Sequence, residues 1–113
     1  MEHIMKLQKE YYDYILYGTK RIEIRLYDEK RKKIKVGDVI EFQKEPELKE
    51  SFKVKVVDLL RYQTFEALFK DYDISLLADT KMTKKELLEV LEKFYPKDKQ
   101  TKYGVLGIKI ELM

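Results

Sequence analysis

Lys20, Glu23 and Arg25 are the residues of this sequence best suited to chemistry. In Gly18-Thr19-Lys20-Arg21-Ile22-Glu23-Ile24-Arg25 an ammonium, a carboxylate and a guanidinium follow one another within six positions. Arginine offers a planar fork for phosphate or carbonyl oxygens, lysine a mobile point charge, and glutamate an acceptor for amino or hydroxyl protons. Together with Arg21 they suit a polar, partly anionic ligand, and a nucleobase or nucleotide presents all three kinds of partner. The same residues also make a self-compensating surface stripe, in which Glu23 pairs with Arg21, Arg25 or a lysine on a neighbouring strand for about 0–1 kcal/mol. The pattern alone leaves both readings open.

Outside that segment, Lys30-Arg31-Lys32-Lys33-Ile34-Lys35 is either a track for phosphates or a solvated loop, with Tyr27 at its edge as a stacking face for an unpaired base. Tyr103, just ahead of the last apolar run, lines a cleft at a strand end or packs at its rim. Tyr11, Tyr12, Tyr14 and Tyr17 crowd one short stretch, either as rings buried up to their hydroxyls or as an aromatic patch for a protein partner. The sequence has no cysteine and 1 histidine, His3. Disulfides, a cysteine nucleophile and a thiolate metal site are therefore excluded, no metal or cofactor is expected, and His3 is assigned no role.

The elements that must position these residues are legible from periodicity. Ile4, Met5 and Leu7 open an apolar strand; Tyr11, Tyr12, Ile15 and Leu16 recur at helical spacing, and Gly18 is expected to end that helix in a left-handed conformation. Ile22, Ile24 and Leu26 then alternate with Arg21, Glu23, Arg25 and Tyr27, predicting a strand with one face in the core and Glu23 and Arg25 together on its polar face. After the basic loop, Val36-Gly37-Asp38 turns into a strand from Val39 to Phe42. A long strand runs from Phe52 to Tyr62. Thr64 caps a short helix carrying Phe65, Leu68 and Phe69. Thr83 and Glu86 form a capping box, with Met82 stapled against Leu87, on a helix that reaches Tyr95 and is stopped by Pro96. Ile108, Ile110 and Leu112 alternate in a closing strand.

A chain of 113 residues accommodates one core, so residues 1–113 are read as one domain. About five to six strands with about three helices predict an α+β mixed sheet curled into a small barrel. The balance of 24 basic against 21 acidic residues, net +3, is too even for nucleic-acid binding by bulk charge, so such binding must come from local patterning. No apolar run reaches the roughly 18 residues of a membrane span and no leader pattern is present, which makes the cytoplasm the default compartment and a monomer the default state. Abundant Lys and Glu without Cys or Asn resemble heat-adapted compositions.

The spacing Gly-x-Lys-x-x-Glu-x-Arg, here Gly18, Lys20, Glu23 and Arg25, resembles the signature of the ASCH domain. The resemblance extends through Ile34-Lys35-Val36-Gly37-Asp38-Val39-Ile40 and the closing Tyr103-Gly104-Val105, and so covers nearly the whole chain. It implies a β-barrel related to the RNA-binding PUA domain, with a cleft beside the motif for RNA or a nucleotide-like ligand; with the residues read above, the candidate contacts are Lys20, Arg21, Glu23, Arg25, Tyr27 and Tyr103. One branch of that family removes the acyl group from N4-acetylcytidine, and the segment from Met82 to Pro96 is similar to a helix of that branch. Its lysine, threonine and glutamate fall on Lys20, Glu23 and Thr80, so only the lysine is retained. The alternative to a binding module is therefore an amidohydrolase in which Glu23 activates water and Lys20 steadies the oxyanion.

Overall fold

The computed structural model describes residues 1–113. In chain order it comprises β1 (Glu2–Leu7), α1 (Lys9–Leu16), β2 (Ile22–Leu26), a 3-10 turn (Arg31–Lys33), β3 (Val39–Lys44) and β4 (Ser51–Tyr62). Then follow α2 (Phe65–Asp71), α3 (Ile74–Leu77), α4 (Lys84–Phe94), α5 (Lys97–Tyr103) and β5 (Val105–Leu112). The strands form one sheet in the order β1-β3-β4-β5-β2. β1 runs parallel to β3, with Met5 opposite Phe42, and the other pairings are antiparallel. β4 shifts register against β5 between Val56 and Asp58, a bulge that adds twist. The sheet curls into a half-barrel whose edge strands are β1 and β2.

Alternation along β2 sends its side chains two ways. Ile22, Ile24 and Leu26 join Phe65, Leu68, Leu77 and Leu87 in a core between the sheet and the helices. Glu23 and Arg25 pair with Ile108 and Leu106, which belong to the second core inside the curl with Met5, Phe42 and Val54. The polar face of β2 therefore looks into the half-barrel. Gly107 on β5 leaves room for its neighbours, since a Cβ there would stand 2.9 Å from Leu68 Cδ1 on α2 and 3.1 Å from Ile22 Cγ2 on β2.

Both predicted caps are present: the Thr64 hydroxyl accepts from the Ala67 N–H at 3.2 Å, and Thr83 and Glu86 close a reciprocal box at 3.1 Å each way. The end of α1 differs from expectation. Gly18 is not left-handed; instead its Cα lies against the preceding turn, where a Cβ would come 2.7 Å from the Tyr14 carbonyl oxygen. Glycine is needed there for approach, not for a positive φ. Two short helices, α3 and α5, add to the expected three. Pro96 stands at the N-cap of α5 as well as closing α4, because its fixed φ suits the start of a helix as much as it forbids continuation. Gln100 on α5 is buried and ties three elements together, its Oε1 accepting from the Phe65 N–H at 3.0 Å and its Nε2 donating to the Tyr95 carbonyl at 2.9 Å. His3, given no role above, has one in the fold: its Nε2 lies 2.8 Å from Asp38 Oδ2, which also accepts the Lys35 N–H, while Asp38 Oδ1 takes the terminal ammonium. No helix is long and apolar enough to cross a membrane.

Candidate ligand-binding cleft

Because the half-barrel stays open between β1 and β2, a cleft forms there, bounded by α1 on one side and α4 on the other. It encloses about 210 Å³, which is below the roughly 300–1,000 Å³ of sites for drug-sized ligands and suits a single base or nucleoside. Lys20, Glu23 and Arg25 form its polar floor, and Tyr11, Leu87, Leu91 and Tyr95 supply apolar walls. A larger hollow of about 350 Å³ lies between α2 and α4, but Phe69 and Leu88 there are accompanied only by Glu66, Lys70, Lys84 and Lys85. No buried polar group converges on it.

The floor is a closed ionic relay. Lys20 is 1% exposed and Glu23 6%, so of the two readings left open by the sequence, the one of a surface stripe does not hold. Glu23 Oε2 accepts from Arg25 Nε at 2.8 Å and Oε1 lies 3.5 Å from Lys20 Nζ. Lys20 Nζ also donates to the Ile22 carbonyl at 2.5 Å and the Leu77 carbonyl at 2.7 Å, and its ammonium stands 5.9 Å from the centre of the Tyr11 ring. Arg25 Nη2 reaches across the opening to the Lys6 carbonyl at 2.9 Å, joining the two edges of the sheet. Its Nη1 takes no protein partner.

Burial pushes the Lys20 ammonium below its ordinary pKa, and the Arg25 charge adds to this, while Glu23 pulls it back up. Three acceptors surround Nζ, and a neutral amine would turn its lone pair on the Glu23 carboxylate, so the site is built for the charged form. Burial alone would raise Glu23; the charges of Arg25 and Lys20, with hydrogen bonds from Arg25 and the Ile24 backbone, outweigh it and hold the carboxyl below the usual range.

The other expected contacts lie elsewhere. Arg21 Nη1 donates to the Lys20 carbonyl at 2.6 Å, the Ile15 carbonyl at 3.0 Å and the Gly18 carbonyl at 3.4 Å, capping the end of α1 instead of entering the cleft. Tyr27 lies outside it, with the Arg61 guanidinium 3.9 Å and Lys32 Nζ 5.7 Å from its ring centre. Tyr103, 39% exposed, lies under Lys102 at the end of α5 and does not line the cleft. Thr80 is exposed and donates to Asp79 at 3.2 Å. Of the four tyrosines around α1, Tyr12 is buried against Phe52, Tyr11 and Tyr14 are half-buried, and only Tyr17 projects into solvent, so α1 presents no aromatic patch. Lys6, Gln8 and Glu45 also line the cleft and, like Tyr95 on its wall, were not anticipated from sequence. No group of three or more His, Cys, Asp or Glu side chains is placed to hold a metal ion.

Comparison with known proteins bears on this cleft. A family model described as ASCH domain matches residues 5–113. The hypothetical protein PH0355, known from a crystal structure, is 38% identical, with 100% of both chains covered and a TM-score of 0.87. Protein PF0455 from Pyrococcus furiosus, a solution NMR structure, is 37% identical, covering 100% of this chain and 98% of its own, with a TM-score of 0.78. Among curated proteins no match is found.

Proposed function

The chain belongs to the ASCH domain family, and on that premise we propose that it binds RNA or a nucleotide-like ligand, with one base seated over Lys20, Glu23 and Arg25. Family membership supports an RNA-binding or related role in general; the particulars rest on the cleft. The observation that carries the reading is the Glu23 carboxylate, 6% exposed and kept ionised by two cations at the floor of a cleft walled by rings and leucines. A buried carboxylate accepts from the amino or imino edge of a base, Arg25 Nη1 donates to a carbonyl or phosphate oxygen, and Tyr11 and Tyr95 offer rings to stack on. Labelled short single-stranded RNA, followed by fluorescence anisotropy, is expected to bind with a shallow salt dependence, since few phosphates are engaged. Arg25→Gln is expected to weaken binding at least about tenfold, a loss of one charge-assisted hydrogen bond. Equal binding by that variant, with an unchanged amide spectrum, removes the site assignment.

A hydrolytic reading uses Lys20 and Glu23 in the same cleft, and two observations weigh against it. Every proton of the Lys20 ammonium already faces an acceptor, so none is left to steady an oxyanion. A carboxyl held below its usual range is a weak base for activating water, whereas an efficient general base is tuned toward the working pH. N4-acetylcytidine incubated with the protein is therefore expected to remain intact by chromatography. Release of cytidine that disappears in Glu23→Gln would establish the amidohydrolase in place of the binding module.

A further inference from the structure

Arg31, part of the basic run that the cleft does not use, carries the one buried side-chain nitrogen or oxygen in the protein without a hydrogen-bond partner, its Nε. None of its guanidinium nitrogens is bonded to another group. The nearby carboxylate does not serve it: Asp28 Oδ1 instead accepts the Arg31 backbone N–H at 3.0 Å, starting the 3-10 turn. A buried donor without a partner is costly, and this one calls for an acceptor that the protein does not itself supply, such as a water, an ion or a ligand oxygen.

Arg31 stands close enough to Arg25 for the two like charges to oppose each other, an effect that adds to burial in lowering the proton affinity of Arg31. Tyr95, on the cleft wall, bears on both guanidiniums. On the cleft side Arg25 spends Nε on Glu23 and Nη2 on Lys6, leaving Nη1 free. Arg25 on the cleft floor thus has a free Nη1, and Arg31, within its electrostatic reach, an orphaned Nε; Glu23 and Asp28 are the carboxylates that act on Arg31, and neither bonds its guanidinium. Lys32 follows Arg31 in the 3-10 turn, and its ammonium, like the Arg61 guanidinium, is held over Tyr27.

We propose that Arg25 and Arg31 form a phosphate subsite adjoining the cleft, so that the ligand is a phosphorylated nucleotide or an RNA backbone unit and not a free nucleoside. A tetrahedral phosphate presents oxygens to two guanidiniums at once, and arginine forks match that geometry. The proposal rests on the cleft reading for the identity of the base, but the phosphate contact stands on Arg31 by itself. It also gives the basic run one inward-turned residue with a specific task, the remaining lysines being solvated.

The test begins with inorganic phosphate as the probe and the arginine side-chain N–H signals of labelled protein as the readout. Saturable shifts of the Arg31 and Arg25 Nε–H signals, lost in Arg31→Gln, are expected. Arg31→Lys, which keeps the charge without the fork, is expected to weaken the effect without altering the amide spectrum. Unmoved Arg31 Nε–H signals overturn the proposal. Cytidine, uridine and adenosine are then compared with their 5′-monophosphates: the monophosphates are expected to bind at least about tenfold tighter, with that advantage absent in Arg31→Gln. Nucleosides that bind as tightly as their monophosphates defeat the subsite and leave the cleft reading intact. Phosphate binding at Arg31, with no base moving Lys20 or Glu23, defeats the cleft reading and upholds the subsite.

Discussion

Replacing Glu23 with glutamine keeps the shape of the side chain and removes the charge on which the relay depends. In Glu23→Gln, Arg25 Nε at 2.8 Å and Lys20 Nζ at 3.5 Å become neighbouring cations with no anion between them, at a position 6% exposed. Breaking a buried pair by removing one partner costs about 3–5 kcal/mol. Glutamine retains an acceptor oxygen, so the expected cost is near the lower end, about 3 kcal/mol, against a total stability of about 5–15 kcal/mol. The pH dependence makes the test sharper. The folded pKa of Glu23 is depressed below its ordinary value of 4.5, so its contribution is fully present above that value and is lost as pH falls through the folded value. Urea unfolding of the two proteins from pH 7 to pH 3 is expected to show a difference of about 3 kcal/mol at neutral pH, shrinking once pH drops below about 4.5. A difference under about 1 kcal/mol at pH 7, the size of an exposed pair, or one that does not change with pH, would refute the relay.

Other outcomes follow from the same physics. Lys20→Met strips the donors from the Ile22 and Leu77 carbonyls and half-unpairs Glu23, so it is expected to cost about 3–5 kcal/mol in denaturant unfolding, with faster amide exchange in α3. Gln100→Leu leaves the Phe65 N–H and the Tyr95 carbonyl buried without partners, and is expected to lower stability by about 1–3 kcal/mol per group without changing ligand affinity. Asp38, held at about 2 by His3, the Lys35 N–H and the terminal ammonium, contributes stability that is intact above about 3.8 and is lost as pH falls toward its folded value; Asp38→Asn is expected to flatten that part of the acid limb. Gly107→Ala forces a methyl against Leu68 and Ile22, and calorimetry is expected to show a loss of about 1–3 kcal/mol from overpacking.

Local signals in the chain were good guides to local structure. Thr64, and the reciprocal pair of Thr83 and Glu86, mark the starts of α2 and α4 because capping is decided within four residues. The alternation from Ile22 to Leu26 places Glu23 and Arg25 on one face of β2 for the same reason. That this face is buried was not legible, since it depends on α4 and on β1, whose Lys6 carbonyl meets Arg25 across 19 positions of sequence. α5 escaped notice because Lys97–Tyr103 carries no apolar period, its buried residue being Gln100. Gly18 was recognisable as special, but its reason, contact with the turn above it, could not be told from a left-handed stop. Arg31 is indistinguishable in the sequence from the lysines around it, and only its orphaned Nε sets it apart. Tyr95 reached the cleft wall by way of the fold, with nothing in its neighbours to announce it.

The central claim, that the Lys20-Glu23-Arg25 floor receives a base, is tested most directly by following the Lys20 ammonium, Glu23 carboxyl carbon and Arg25 guanidinium NMR signals while titrating the four common ribonucleoside 5′-monophosphates. Saturable shifts at those three groups and at Tyr95, with Tyr17 and the α2–α4 hollow unmoved, are the predicted result. Shifts confined to Tyr27, Lys32 and the exposed lysines, or none at the three floor residues at millimolar ligand, would contradict it.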